Sequence, residues 1–149
     1  MTHDRSATTP RSVEGLVDEE WQVARIARVN ILLVGSERSA ERIVDALRPD
    51  FCHPIEVWRP ASRLVLPPVA GRGTLILQDV GGMPHDDQRR LCAWLDATDG
   101  RTRVVSTNRQ PLFPLVEAGT FVERLYYRLN AVCLVITECD KLTVLRVTR

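Results

Sequence analysis

Residues 35–42, which read GSERSAER, contain residue types from which a phosphate-binding loop can be built. Gly35 leaves room for a phosphate to approach the backbone, and the hydroxyls of Ser36 and Ser39 are suited to bind a phosphate or its magnesium ion. The segment has no lysine, and Glu41 adds a negative charge. Two interpretations follow: a residual phosphate site, or a plain connection between a strand and a helix.

Three later segments have the order and spacing of one ATPase family. Residues 73–84 read GTLILQDVGGMP, residues 104–110 read VVSTNRQ, and residues 117–132 read EAGTFVERLYYRLNAV. In these motifs the chain resembles the central AAA+ domain of the bacterial sigma-54-dependent transcription activators, over roughly the last two thirds of the sequence. The resemblance implies a P-loop NTPase fold and a role in transcription regulation.

The positions that bind and cleave ATP in that family are changed here. The family's loop reads G-E-x-G-T-G-K-E, so the resemblance puts Glu41 at the lysine position. Gln78 and Asp79 take the places of the magnesium-binding aspartate and the catalytic glutamate. Gln78 is a poor ligand for magnesium, and Asp79 keeps a carboxylate on a shorter side chain. The resemblance therefore predicts that the fold is kept while hydrolysis is lost.

Two other family sites are better preserved. Thr107 and Asn108 match the sensor beside the terminal phosphate, and Arg128 matches an arginine supplied to a neighbouring subunit's ATP. Each has a simpler interpretation: Asn108 could form a helix cap and turn, and Arg124 with Arg128 could form a solvated basic face. The resemblance would make Asp79, Asn108 and Arg128 catalytic, if the chain is active. It would make the nucleotide-binding residues Gly35, Ser36, Ser39, Gln78, Asp79, Thr107 and Asn108.

These residues need a sheet with helices on both faces to bring them together. Apolar runs predict five strands, at residues 30–34, 53–58, 74–78, 103–106 and 132–136. Helical periodicity and end signals predict helices at residues 39–47, from Pro84 to just before Gly100, at 111–118 and at 121–129. Alternation of this kind predicts a three-layer α/β core of about five mostly parallel strands, with one more strand near Leu142 hairpinned through residues 138–141.

The predicted organisation has four parts: a flexible arm (1–12), an amphipathic helix (13–28), a degenerate AAA+ core (29–138) and a carboxy-terminal strand or tail (139–149). The short interval between Leu47 and Gly73 has no room for the family's GAFTGA loop, which contacts the sigma factor. The chain stops at Arg149, before the place of the family's helical lid. We therefore expect neither a lid nor direct DNA binding.

Composition gives few further constraints. The chain has 149 residues, 44% of them apolar, and a formal net charge of +1, so no global field draws it to nucleic acid or membrane. The cysteines form no CxxC pair, and none of the three histidines is spaced from a cysteine as metal ligands are. We therefore expect no metal site. The polar amino terminus and the lack of a membrane-length apolar run predict a cytoplasmic protein with reduced thiols.

Three hypotheses about function remain. The first is a module that does not hydrolyse ATP and acts by contact with a protein partner, either itself or an intact AAA+ activator. The second is an ATP-binding enzyme that hydrolyses slowly, with Asp79 as base and Thr107 and Asn108 as sensors. The third is a gene remnant that folds without a selected activity. The altered loop predicts no resident cofactor, whereas the resemblance alone implies ATP and magnesium.

Overall fold

The computed structural model describes residues 28–136 and 142–145. Six strands, named β1 to β6 in chain order, lie at Ile31–Val34, Ile55–Trp58, Gly73–Leu77, Thr102–Asn108, Val132–Ile136 and Leu142–Leu145. Four α-helices, named α1 to α4, lie at Glu37–Leu47, His85–Thr98, Phe113–Glu117 and Glu123–Leu129. Two 3-10 turns lie at Arg48–Asp50 and Val80–Gly82.

The six strands form one sheet in the order β2-β3-β4-β1-β5-β6. The first five are parallel, and β6 pairs with β5 in the antiparallel direction. The prediction of a parallel five-stranded core is confirmed, and so is the additional strand near Leu142. The connection predicted for that strand, residues 138–141, lies outside the described residues.

Helices cover both faces of the sheet. On one face, α1 packs Ala40, Val44 and Leu47 against buried residues of the strands, such as Ile31 and Leu33. On the other face, α2 and α4 bury apolar side chains against the sheet: Leu91, Trp94, Leu95, Leu125 and Leu129. The layers are therefore those of the predicted three-layer α/β core.

Strand register places the later motifs at one edge of the sheet. Val34 at the end of β1 pairs with Asn108 at the end of β4, and Leu77 at the end of β3 pairs with Ser106. The backbone N–H of Gly35 continues the ladder by donating to the carbonyl of Asn108 at 3.0 Å. The turns that follow β1, β3 and β4 therefore meet at the carboxyl edge, where open α/β sheets bind ligands.

Several predicted boundaries were wrong by one or two residues. Helix α1 begins at Glu37, two residues before the predicted start, because Ser36 caps it. Pro84 is the N-cap of α2 and not its first helical residue. Helix α4 begins only at Glu123, two residues after its predicted start, and Phe121 is buried before it. Strand β4 extends to Asn108, past its predicted end, so both sensor residues belong to the strand.

The amino-terminal predictions are not tested by the described residues. The arm at 1–12 lies outside them, as does the amphipathic helix at 13–28 apart from its last residue, so these boundaries stay predictions. Among the residues described, no helix has both the length and the apolar character that a membrane crossing requires.

Candidate functional site

A crevice of about 630 Å3 opens at the carboxyl edge of the sheet. Helix α1 forms one wall, and the opposite side includes the carboxyl ends of β3 and β4 and the segments that follow β2, β3 and β4. It brings together five of the residues that the sequence predicted for a nucleotide site: Gly35, Gln78, Asp79, Thr107 and Asn108. Ser36 and Ser39 lie at the amino end of α1, outside the lining of the crevice.

Only Gly35 and Ser36 connect β1 to α1. The hydroxyl of Ser36 accepts a hydrogen bond from the backbone N–H of Ser39 at 3.2 Å and donates one to the Ser39 hydroxyl at 2.9 Å. This is an ordinary N-cap, in which a side chain satisfies a free N–H of the first turn. Residues 37–42, which the resemblance matched to the family's phosphate loop, are therefore helical here.

The glycine at the start of this connection has a packing role. A Cβ atom built on Gly35 would lie 2.9 Å from the Cβ of Ile136 in β5 and 3.2 Å from its carbonyl oxygen. Real side chains do not approach so closely, so the sheet itself requires glycine at this position. Gly35 therefore needs no phosphate to explain it.

Acidic side chains line the α1 wall of the crevice. Glu37, Glu41 and Asp45 are spaced by four residues, which places them on one face of the helix, and all three line the crevice. Glu37 is paired with Arg109 across the opening, with 3.1 Å between Oε2 and Nη2. Both side chains are 66% exposed, so this ion pair contributes little to stability. The wall offers carboxylates where a phosphate site offers N–H groups and a cation.

The opposite wall contains the two residues that follow β3. The Nε of Arg59 donates to the side-chain oxygen of Gln78 at 2.9 Å, so Gln78 is oriented by a guanidinium group. Asp79 has a left-handed backbone with φ of 49°. Its N–H donates to the hydroxyl of Thr107 at 3.2 Å. The turn after β3 is thus tied to the end of β4.

The side-chain amide of Asn108 also joins the end of β4 to the turn after β3 through its oxygen, and its nitrogen bonds within the segment after β4. Its oxygen accepts from the N–H of Gly81 at 3.1 Å, and its nitrogen donates to the carbonyl of Gln110 at 2.6 Å. Asn108 is buried, and the predicted turn after it is present. The predicted cap is wrong, because Leu112 is the N-cap of α3 and makes no side-chain capping bond. In this structure Thr107 and Asn108 both hold the turn after β3 in place.

Arg128 lies away from the crevice, on α4. A separate cavity contains it together with Glu123, Arg124 and Tyr127. The carboxylate of Asp96 on α2 contacts both arginines, Arg124 at 2.8 Å through Oδ2 and Arg128 through Oδ1. The side chains of Arg124 and Arg128 are 68% and 40% exposed, so both are in contact with solvent while they pair with Asp96 on the neighbouring helix.

Sequence reasoning missed several residues of these sites. Glu37 and Asp45 would have been found by starting α1 at the Ser36 cap and following its four-residue spacing. Arg59 and Asp96 had no local signal, since each reaches its partner through tertiary packing. Among residues 28–136 and 142–145, no group of three or more histidine, cysteine, aspartate or glutamate side chains is arranged to hold a metal ion.

Comparison with known proteins agrees with this fold and these motifs. The family model described as the sigma-54 interaction domain matches residues 57–139. The DNA-binding transcriptional regulator NtrC of Rhizobium meliloti (strain 1021) is 40% identical over 71 residues, in a match that covers 40% of this chain. The match covers only 15% of NtrC, so the chain spans a small part of that regulator.

Solved structures support the fold. NtrX from Brucella abortus in complex with ATP superposes with a TM-score of 0.65 and 18% identity, over 87% of this chain and 36% of that one. The P-loop NTPase domain of a sigma-54 activator from E. coli superposes with a TM-score of 0.55 and 15% identity, over 74% of this chain and 98% of that domain. Given the family match over residues 57–139, the chain belongs to the sigma-54 interaction domain family, the AAA+ domain of sigma-54-dependent activators.

Proposed function

We propose that this domain acts in sigma-54-dependent transcription by contacting other proteins, and that it does not hydrolyse ATP. One observation carries the proposal: the connection between β1 and α1 is the two residues Gly35 and Ser36, and the helix that follows lines the crevice with carboxylates. A phosphate loop works through a series of free backbone N–H groups and a lysine. Here the connection is only two residues long, and Glu41 replaces the lysine.

Charge at the α1 wall opposes a triphosphate. Glu41 stands at the family's lysine position, and Glu37 and Asp45 flank it one turn away on either side. A unit pair of like charges at ~4 Å and an effective dielectric of about 20 costs ~4 kcal/mol before screening by salt. Glutamate at the lysine position thus replaces an attraction for ATP phosphates, which the family uses, with a repulsion.

The residues facing α1 also fit magnesium poorly. Gln78 is neutral, and its oxygen already accepts a hydrogen bond from Arg59 at 2.9 Å. A guanidinium next to the metal position would repel a divalent cation. The residues of the crevice therefore do not match a magnesium–triphosphate, and we derive no hydrolytic step for them.

The contact surface we propose is the α4 surface, defined as Phe113, Arg124, Tyr126, Tyr127 and Arg128. Phe113 and Tyr127 are 44% and 41% exposed, whereas the other phenylalanines and the tryptophans among the described residues are buried. Their rings both pack on Tyr126, with centroids 5.8 and 5.2 Å away. Exposed aromatic rings beside arginines are the composition typical of protein interfaces. This surface supports docking on an intact activator or on a second copy.

The first experiment is thermal unfolding in the presence of magnesium and ATP. A ligand at one hundred times its dissociation constant adds ~2.7 kcal/mol of stability, which is readily measured. We expect no change in the unfolding temperature at millimolar ATP. A saturable rise would contradict the proposed loss of nucleotide binding.

The second experiment is coexpression with an intact sigma-54 activator, followed by a pull-down. We expect Tyr127→Ser to weaken association. The control Val65→Ser alters an apolar residue that is 63% exposed on the loop after β2, outside the α4 surface. Absence of association with the unaltered chain, together with unchanged ATP turnover by the partner, would remove the contact hypothesis.

A second candidate function is ATP binding with slow hydrolysis. It is favoured by the assembly of Asp79, Thr107 and Asn108 in one crevice, with Arg59 and Arg109 also in the lining. The similar NtrX structure contains ATP. This candidate predicts an ATP-dependent rise in unfolding temperature that is reduced in the Arg59→Gln, Arg109→Gln double variant. Arg63→Gln with Arg89→Gln, two exposed arginines outside the crevice lining, is the charge-matched control.

A further inference from the structure

Another cavity, of about 370 Å3, lies at the opposite edge of the sheet, where the strands begin. Its charged lining consists of four arginines and two aspartates: Arg28, Arg72, Arg101, Arg103, Asp50 and Asp99. The arginines come from the segment before β1, the loop before β3, the turn before β4 and the start of β4 itself. No motif of the family resemblance includes any of them.

Arg103 forms the buried wall of this cavity. It is only 7% exposed on β4, and its Nε donates to the carbonyl of Val29 at 3.0 Å. Its guanidinium carbon lies 5.9 Å from the centre of the Phe51 ring. Burial lowers the pKa of Arg103, and the Asp50 carboxylate partly offsets this effect. The guanidinium is therefore held in a fixed place by its neighbours.

The other three arginines are exposed and form the opening. The charge of Arg28 acts on Arg103 in the same direction as burial and lowers its pKa further, which means that the two arginines repel each other. Two aspartates among four arginines leave an excess of positive charge in the cavity. An anion bound between the arginines would remove that repulsion.

We propose that this cavity binds a small phosphate-bearing anion. Arginine is the side chain best suited to such a ligand, since its planar donors match two phosphate oxygens at once. The backbone turn at Asp99 and Gly100, both with positive φ, brings Arg101 to the opening beside Arg72. The cavity is separate from the crevice, because the two lie at opposite ends of the parallel strands.

The ordinary account of the same arginines is compensation of helix dipoles. Helix α2 ends at Thr98, and its carboxyl end points toward this edge of the sheet. Cations near a helix carboxyl end are stabilising without any ligand. An account of this kind predicts no saturable binding of phosphate, so a binding experiment separates the two.

The rate at which the Cys52 thiol is alkylated can report whether an anion occupies the cavity, because Cys52 lines the cavity and is partly exposed. Cys92 and Cys133 are buried, and burial raises the pKa of both thiols, so they react slowly with alkylating reagents. In a Cys139→Ser background, iodoacetamide labelling followed by peptide mass spectrometry reports on Cys52. The probes are inorganic phosphate and pyrophosphate.

We expect saturable protection of Cys52, with half-protection below about 1 mM phosphate in 0.1 M salt and weaker protection as salt rises. Arg101→Gln should raise the phosphate concentration needed for half-protection about tenfold, because it removes a charge-assisted contact to the anion. Arg63→Gln makes the same charge change outside the cavity and should leave protection unchanged.

Three results would overturn the proposal. The first is labelling of Cys52 that does not respond to phosphate or pyrophosphate. The second is equal loss of protection in Arg101→Gln and Arg63→Gln, which would indicate a general charge effect. The third is protection by a double-stranded DNA fragment but not by either small anion, which would assign the arginines to nucleic acid. Circular dichroism of each variant confirms that it is folded.

Discussion

Asp96 on α2 holds Arg124 on α4 with 2.8 Å between its Oδ2 and the Nη2 of the arginine. The other carboxylate oxygen of Asp96 contacts Arg128, the residue that the family resemblance assigns to a neighbouring subunit's ATP. One carboxylate thus joins both arginines to their own subunit. A partner that uses these arginines has to compete with Asp96.

This relationship predicts a measurable coupling between the two helices. Asp96→Ala should lower the free energy of unfolding by about 1 kcal/mol, because Asp96 is 31% exposed and solvent screens the pair. In a double-mutant cycle with Arg128→Ala, the two losses should not add. Denaturant unfolding of the four proteins measures the coupling, and strictly additive losses would contradict the ion pair.

Glycine at position 35 is predicted to be required for stability in the absence of any ligand. Gly35→Ala should lower the free energy of unfolding by about 1–3 kcal/mol, because its Cβ would meet the Cβ of Ile136 at 2.9 Å. The control is Gly82→Ala, where an added Cβ meets nothing within 4 Å. Equal stability of the two variants in urea unfolding would contradict the packing role.

Gln88 on α2 is predicted to be the polar residue whose loss costs most stability. It is 1% exposed, and its amide donates to the carbonyls of Met83 and Thr120 and accepts from the N–H of Val122. Gln88→Leu leaves these backbone groups unpaired and should cost about 3 kcal/mol. The control is Gln110→Leu, at an exposed position. If chemical denaturation shows that Gln88→Leu lowers the free energy of unfolding by less than about 1 kcal/mol, water has replaced the amide as the hydrogen-bond partner.

Stability is predicted to fall at high pH through Cys133. Burial raises the pKa of this thiol from 9.0 to about 11. Between these values the unfolded chain loses the thiol proton while the folded chain keeps it, so deprotonation favours unfolding. The loss should reach about 2 kcal/mol by pH 11. Cys133→Ala should lack it, and unfolding curves of both proteins from pH 8 to 11 measure the difference.

Much of the fold follows from local sequence. Strand β5 has the bounds predicted from its apolar run, and the buried residues of α2 follow from helical spacing. Helix α1 shows the limit of this reasoning. The resemblance matched residues 35–42 to a phosphate loop and periodicity predicted the helix only from residue 39, whereas the Ser36 cap begins the helix at Glu37.

The candidate site was predicted in part. Sequence motifs named Gly35, Gln78, Asp79, Thr107 and Asn108, and the structure brings all five into one crevice. They did not indicate that Thr107 and Asn108 hydrogen-bond to the turn after β3. Those bonds join residues 28 and 27 positions apart in the chain, and no local pattern reports on them.

The family, the strand–helix alternation and the loss of the lysine and the acidic pair could all be read from the order of the residues. The pairing of Asp96 with Arg128, 32 residues away, and the meeting of arginines from four separate segments in one cavity became visible only in the folded chain. The difference lies in the distance over which each kind of signal acts. Propensity, capping and apolar periodicity act over a few residues, whereas ion pairs and cavities depend on strand register and helix packing that the whole chain sets.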